Sequence, residues 1–134
     1  MDIETLQSLI NPLFPGLMGI KLIELSPERV TASLAVRPDL ATAGNTLHGG
    51  AFMAFADTLG AIATLLNLPP GSRTTTIESK TNFLGSAAVG SQVFGESTPL
   101  HRGRTTMVWQ THIKNDSGKL CAVVTQTQLV LSNQ

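Results

Sequence analysis

The sequence contains few charged residues, few aromatic residues and one cysteine. Charged residues make up 13 % of the chain, well under the usual share of roughly a quarter. Nine basic and nine acidic side chains cancel, and no run of lysine or arginine occurs, which excludes the electrostatic footprint of a nucleic-acid-binding protein. So little surface charge indicates that another subunit covers part of the surface, and we therefore expect the chain to self-associate.

The cysteine and the N-terminal residues bear on metal binding and on the compartment. A single cysteine, Cys121, excludes an internal disulfide and a multi-cysteine metal site, and its apolar neighbours predict an inert core residue. Residues 1–4 (MDIE) lack the basic and then apolar order of a signal peptide. These features favour a cytoplasmic protein.

Residues 49–68 contain a single charged side chain and are long enough to span a bilayer. Asp57 lies in the middle of this segment, where inserting an ionised aspartate costs about 2.5–3.5 kcal/mol. The segment is rich in alanine, glycine and threonine, and its ends carry no basic residue, tryptophan or tyrosine. A helix buried in protein therefore fits better than a membrane span.

The hydropathy pattern predicts one long helix among many strands. Residues 2–10 have the spacing of a short amphipathic helix, and the prolines and glycines of residues 12–19 predict a loop. The other predicted elements are strands over about 20–25 and 30–36, a loop over 37–47, a helix over 49–66, and strands over about 73–84, 89–99, 104–115 and 119–131.

Turns are predicted at residues 85–86, at the corner 101–103 and at 115–118. The long helix is apolar on every face, so it must be surrounded by other elements. An antiparallel sheet wrapped around one long central helix satisfies this order, and the predicted fold class is α+β.

Asp57 is the only ionisable side chain of the long helix. A carboxylate in apolar surroundings must be satisfied by hydrogen-bond donors or face a cleft, and carboxylates in clefts are candidate bases or nucleophiles. A purely structural alternative is also open, in which Asp57 points to solvent or to a subunit boundary, or accepts a hydrogen bond from a neighbour such as Thr58.

Residues 45–50 (NTLHGG) place two glycines where this helix begins. Glycine lets a ligand approach the backbone closely, and free N–H groups at a helix N-terminus carry partial positive charge. Such a terminus can hold the oxyanion that develops in acyl transfer to water. The alternative is ordinary capping, with Asn45 or His48 closing the helix end.

The spacing between the helix start at His48 and the carboxylate of Asp57 limits how both can act on one substrate. Asp57 lies nine residues beyond His48, about 13 Å of helix rise, which is too far for both to touch one small group in one chain. Either they serve different parts of a ligand, or the site is completed across a two-fold interface. The low charge favours the second option, in which a monomer is inactive.

The stretch 45–57 (NTLHGGAFMAFAD) resembles the HGG…D segment of the PaaI-like acyl-CoA thioesterases, in the hotdog superfamily that includes the 4-hydroxybenzoyl-CoA thioesterases. The order of elements matches over about residues 15–132. The resemblance implies one hotdog thioesterase domain over residues 1–134, with residues 1–14 as a helical extension. It also implies a homodimer with the active site at its interface, paired into a dimer of dimers, and no metal or cofactor apart from the coenzyme A of the substrate.

The resemblance also implies residue roles. In similar enzymes the acidic residue of the central helix is the nucleophile or the general base, a role that falls here on Asp57. The N–H of Gly49 would polarise the thioester carbonyl, and His48 would support that end of the helix. The strand after the helix offers a hydroxyl that positions water, which the alignment assigns to Thr76, with Thr75 open.

Other positions match the family less closely. The corner Gly103-Arg104 resembles the Gly-Lys/Arg turn that contacts the phosphates of coenzyme A, although Arg104 could equally be a solvated surface residue. Family members commonly carry Asn or Gln where this chain has Thr42, and residues 83–86 (FLGS) replace a familiar Phe-Leu-Arg-Pro. The expected substrate-binding residues are Thr42, Asn45, Gly50, Phe83, Gly103 and Arg104.

Two rival functions stay open. A hotdog hydratase or dehydratase would need a second histidine aimed into the pocket, whereas His101 and His112 are expected at the surface. A non-catalytic acyl-CoA binding module is the other rival, against which the retained Asp57 argues. The acyl group of the substrate, aromatic or medium-chain, cannot be read from the sequence.

Overall fold

The computed structural model describes residues 1–132, so the last two residues of the domain predicted over residues 1–134 lie outside the described part. One long helix follows four short strands and precedes four long ones. The elements are α1 (Ile3–Ile10), α2 (Phe14–Met18), β1 (Lys21–Ser26), β2 (Arg29–Ala35), a 3-10 helix (Pro38–Leu40), β3 (Ala41–Thr42), β4 (Thr46–Leu47), α3 (Gly49–Leu65), β5 (Arg73–Phe83), β6 (Gln92–Arg102), β7 (Thr106–Asn115) and β8 (Leu120–Leu131).

Six strands form one antiparallel sheet in the order β1-β2-β6-β7-β8-β5, and β3 and β4 pair separately. The helix α3 contacts β2, β5, β6, β7 and β8, so the sheet curves around it. The predicted antiparallel sheet around one long central helix is therefore confirmed. Because β1 and β5 are the sheet edges, β5 pairs with a strand on only one side within the described residues.

The apolar core lies between α3 and the sheet. Phe55 and Leu59 of the helix and Trp109 of β7 are wholly buried. Gly95 of β6 brings the sheet close to the helix, because a Cβ there would lie 2.7 Å from Leu59 and 3.0 Å from Phe55. Cys121 is also fully buried, as predicted, and this burial raises the pKa of its thiol.

Two local predictions are wrong. The segment 12–19 is not only a loop, because Pro15 lies in the first turn of α2, where a missing N–H breaks no hydrogen bond, and Gly19 ends that helix at a φ of 87°. The corner predicted at 101–103 begins later, because β6 continues to Arg102 by pairing with Met107 past an irregularity near Pro99. None of the described helices has the length and apolarity that crossing a membrane requires.

The expectation that α3 is surrounded on every side is also wrong for a single chain. Met53 is 38 % exposed and Leu65 44 % exposed, while Ala54, Asp57 and Ala61 are only partly buried. Hydropathy does not distinguish a side chain buried in its own core from one that another molecule would cover. The open face of α3, defined here as Gly50, Met53, Ala54, Asp57 and Ala61, carries the carboxylate singled out from the sequence.

Candidate active site

The start of α3 has one backbone N–H without an acceptor. The carbonyl of His48 accepts hydrogen bonds from the N–H groups of Ala51 (2.9 Å) and Phe52 (3.2 Å). The side chain of His48 caps the helix, because its Nδ1 accepts from the N–H of Gly50 at 2.8 Å. Among the described residues the N–H of Gly49 has no acceptor. It is therefore available to an oxygen atom from outside the chain.

The capping geometry separates the roles of the two glycines. The N–H of Gly50 is engaged by His48, so Gly50 orients the imidazole, and a Cβ at Gly50 would lie 3.0 Å from that Nδ1. Because Nδ1 accepts, a neutral His48 carries its proton on Nε2. Asn45 does not cap the helix; its backbone has a φ of 59° in the loop between β3 and β4.

The ring of Phe83 packs beside Gly49 at the start of α3. A Cβ at Gly49 would lie 3.3 Å from the Phe83 ring, and that ring packs edge to face on Phe52 with centroids 6.2 Å apart. Phe83 is nevertheless 52 % exposed at the end of β5. The free N–H of Gly49 thus lies beside an exposed aromatic ring, in a partly apolar setting.

Two side chains of the sheet hold the Asp57 carboxylate by hydrogen bonds. Its Oδ1 accepts from the hydroxyl of Thr76 at 2.6 Å and from Nε2 of Gln126 at 3.1 Å. Nε2 of Gln128 in turn donates to Oγ1 of Thr76 at 2.9 Å. Within residues 1–132, Oδ2 accepts no hydrogen bond. One carboxylate oxygen is therefore fixed and the other is left for a substrate or a water molecule.

The geometry shows which threonine contacts Asp57. Thr76 is partly buried on the side of β5 that faces α3, whereas Thr75 is exposed on the opposite side, so the structure brings Thr76 to the carboxylate. Thr58 does not bind Asp57, because its hydroxyl donates to the carbonyl of Ala54 at 2.8 Å. The catalytic role of Thr76 stays a prediction.

Sequence analysis missed Gln126 and Gln128, which are both wholly buried. The signal was the two-residue period of β8, which places Ala122, Val124, Gln126 and Gln128 on one face. A face that begins with apolar residues and continues with two amides demands partners for those amides inside the protein. The pairing of β8 with β5 places Thr76 opposite Gln128, and the packing of α3 on the sheet brings Asp57 to Gln126.

The other predicted binding residues lie away from Asp57. Thr42 ends β3 and Asn45 lies in the β3–β4 loop; both are exposed, and neither side chain makes a hydrogen bond within the described residues. Gly103 and Arg104 lie in the β6–β7 turn, where the N–H of Gly103 donates to the carbonyl of Thr106 at 2.9 Å. The structure does not bring these residues to the carboxylate in one chain.

The β6–β7 turn lies near the C-terminal end of α3. Nη1 of Arg102 contacts the carbonyl of Pro27 at 3.3 Å and Oδ1 of Asn67 at 3.4 Å, so this arginine ties the turn to the residues that follow the helix. Arg104 is exposed and has no ion-pair partner among the described residues. A 280 Å³ depression lies beside it. Arg104 is therefore the cation of this turn that is available to an anion.

A larger cavity of about 370 Å³ lies at the opposite end of α3. It is bounded by α2, by the segment around the 3-10 helix and by the start of α3, and Arg37 holds α2 in place by donating to the carbonyls of Leu17 (3.0 Å) and Met18 (2.8 Å). Its lining residues are Phe14, Leu17, Met18, Arg37, Asp39, Leu40, Ala41, His48, Gly50, Ala51 and Ala54. The lining is mostly apolar and reaches the open face of α3.

Neither of the two later histidines faces α3. His101 is exposed on β6, and His112 lies on β7 between the buried Thr111 and Ile113, so its side chain points away from the helix. No group of three histidine, cysteine or acidic side chains within residues 1–132 is arranged to hold a metal ion.

Comparison with known proteins identifies the family. The model of the thioesterase superfamily matches residues 44–122. The proofreading thioesterase EntH of Cronobacter turicensis is 31 % identical over 104 residues, covering 78 % of this chain and 75 % of that protein. The 1,4-dihydroxy-2-naphthoyl-CoA hydrolase of Escherichia coli is 27 % identical over 131 residues, covering 98 % and 96 %.

A solved structure agrees with these relatives. The crystal structure of a thioesterase from Haemophilus influenzae matches with a TM-score of 0.93 at 28 % identity, covering 98 % of this chain and 92 % of that one. The matched segment contains the helix start, Asp57 and Thr76, whereas Gln126 and Gln128 lie beyond it. The chain belongs to the thioesterase superfamily, and it is a hydrolase with the hotdog fold.

Proposed function

We propose that the protein hydrolyses acyl-CoA thioesters, with Asp57 as nucleophile or general base and the N–H of Gly49 as oxyanion donor. The observation that carries the proposal is that one helix presents both a carboxylate with one free oxygen and an N-terminus with one free N–H. The choice of a CoA ester is supported by the E. coli relative, whose name is that of a CoA hydrolase.

The proposed reaction needs no metal or redox cofactor. Asp57 attacks the thioester carbonyl or takes a proton from the attacking water, and the carbonyl oxygen gathers negative charge against the N–H of Gly49. The C–S bond then breaks. The coenzyme A thiolate is a fair leaving group, since an ordinary thiol has a pKa near roughly 8.5. In the direct-attack variant, water then hydrolyses the acyl-Asp57 anhydride.

We place the complete site at an interface between two copies of the chain. In one chain the helix rise separates Gly49 from Asp57 by about 12 Å. The edge strand β5 adjoins the open face of α3, and exposed apolar side chains occupy both: Met53 on the helix and Ile77, Phe83 and Leu84 on or beside β5. An edge strand can pair with its own copy in antiparallel fashion about a two-fold axis. Such pairing would cover these side chains and bring Asp57 to the helix start of the partner subunit.

The cavities and the free charges support a proposal for where the two ends of the substrate bind. The apolar cavity of about 370 Å³ beside His48 and Gly50 would take the acyl group. Arg104 would meet a phosphate of coenzyme A, because it is exposed in the β6–β7 turn and forms no ion pair with residues 1–132. The hydratase alternative is disfavoured because His101 and His112 do not face α3.

The test is release of free thiol from a panel of acyl-CoAs by the wild-type protein and by Asp57→Asn. We expect thiol from the wild type and at least a 1,000-fold lower rate from the variant, whose unfolding midpoint should be close to that of the wild type. Near-normal thiol release by folded Asp57→Asn would refute the assignment. A change in double-bond absorbance without thiol would indicate a hydratase, and binding without either signal would indicate a binding module.

A further inference from the structure

Within residues 1–132, the side chain of Gln126 makes hydrogen bonds with Asp57 alone. The side chain is wholly buried on β8, and its Nε2 lies 3.1 Å from Oδ1 and 3.4 Å from the backbone carbonyl oxygen of Asp57. Both of these atoms are acceptors, so the NH₂ group of the amide must face them, and the orientation of the amide is fixed by its partners.

The rest of that amide is not satisfied. Oε1 of Gln126 is buried and has no hydrogen-bond partner in the described part of the chain. Leaving a buried acceptor unpaired is destabilising. An apolar side chain of the same length would avoid this cost. The glutamine is therefore not explained by stability, and its contact with Asp57 is the contribution that an apolar side chain could not make.

Gly60 provides the space through which Gln126 reaches Asp57. It lies three residues after Asp57 on α3, and a Cβ at Gly60 would lie 2.2 Å from both Cδ and Oε1 of Gln126. Glycine inside a helix is itself less favourable than alanine. Gly60 in the helix and the half-satisfied amide of Gln126 in the sheet are both unfavourable for stability, and both lie beside the Asp57 carboxylate.

A second set of hydrogen bonds reaches the same oxygen. Oγ1 of Thr74 lies 3.2 Å from Oε1 of Gln128, and Nε2 of Gln128 donates to Oγ1 of Thr76. Because Thr76 accepts this bond, its only hydroxyl proton is directed to Oδ1 of Asp57. Oδ1 therefore receives two donors from the sheet, which fixes the rotation of the carboxylate.

We propose that Gln126 is a positioning residue, which, through the gap at Gly60, holds Oδ1 of Asp57 so that Oδ2 is presented to the thioester or to the attacking water. This inference rests on the proposed role of Asp57. It predicts that a defect at Gln126 changes the rate of the chemical step and leaves substrate binding unchanged, because Gln126 is buried beneath the carboxylate and out of reach of the substrate.

The first test is Gln126→Met, which keeps the length of the side chain and removes the donor. We expect kcat to fall about 10- to 100-fold, as for loss of a hydrogen bond to a charged group, with KM within twofold and the unfolding midpoint unchanged or higher. A purely structural role would lower the unfolding midpoint and leave kcat intact. A folded variant with kcat within twofold of the wild type overturns the inference.

The second test is Gln126→Glu, which keeps the reach and adds a titratable group beside Asp57. Two carboxylates at this distance share a proton, and the shared proton restores a donor to Oδ1. We expect kcat of this variant to rise as the pH falls, over a range where the wild type is flat or declining. A pH profile parallel to that of the wild type overturns the inference. Asp57→Asn, measured alongside, separates the two proposals: if Asp57→Asn is inactive and both Gln126 variants behave like the wild type, only the inference about Gln126 fails.

Discussion

Replacing Gly49 by proline should remove the oxyanion donor without breaking the helix. Proline has no N–H, and the N–H of Gly49 has no acceptor among the described residues, so no hydrogen bond of the fold is lost. Position 49 is the first residue of α3, where proline is favoured. His48 has φ −63° and ψ 139°, an extended conformation that suits a residue before proline.

The expected loss of kcat in Gly49→Pro follows from the removal of one hydrogen-bond donor, the N–H of residue 49. Removing one preorganised donor to an oxyanion typically lowers kcat by about 100- to 1,000-fold, or roughly 2.7–4 kcal/mol. The Cβ that proline introduces would lie 3.3 Å from the Phe83 ring, so a small packing effect must be separated from the loss of the donor. Gly49→Ala is the matched control, because it adds the same Cβ and keeps the N–H.

The assay is thiol release at saturating acyl-CoA for both variants, together with their unfolding midpoints. We expect Gly49→Ala to retain most of the wild-type kcat and Gly49→Pro to lose at least 100-fold, with similar midpoints for the two variants. Equal activities of folded Gly49→Pro and Gly49→Ala would refute the assignment of Gly49 as the oxyanion donor.

Two further predictions concern the ends of the substrate. Arg104→Ala should raise KM for acyl-CoA about fivefold at low salt and leave kcat unchanged, as expected for loss of an exposed charge pair. Arg104→Lys should retain most of the affinity. A KM that depends on neither the charge at position 104 nor the salt concentration would show that Arg104 does not bind the phosphate. Ala54→Leu should narrow the apolar cavity and lower kcat/KM for a medium-chain acyl-CoA at least about tenfold relative to acetyl-CoA, and an unchanged chain-length profile would place the acyl group elsewhere.

The sequence predicts the central helix well, because local signals define both of its ends. Two glycines mark the start, and Pro69 and Pro70 prevent extension of the chain as a helix, so the predicted range 49–66 agrees with Gly49–Leu65. The strands follow from their period and turns, and their ends shift by a few residues. The limit of β6 at Arg102 depends on pairing with β7, which local patterns do not encode.

The candidate site could be read from spacing where its residues are close in the chain, while Thr76, 19 positions beyond Asp57, was found through the family resemblance. His48, Gly49 and Asp57 share one helix, so their spacing could be read directly. The contact of Asp57 with Gln126 joins residues that are 69 positions apart, and it depends on how α3 packs against β8. The open face of α3 was also not predicted, since an apolar helix looks alike whether its own sheet or a second chain covers it.

Mixing two inactive variants decides whether the site is shared between chains. Asp57→Asn and Gly49→Pro, carrying different tags, are co-expressed and the doubly tagged oligomer is isolated. If each site takes Asp57 from one chain and Gly49 from the other, a mixed dimer has one site with both defects and one intact site. Thiol release should then return to about half of the wild-type rate per dimer. A doubly tagged oligomer as inactive as either parent would show that each site lies within one chain and would contradict the shared site.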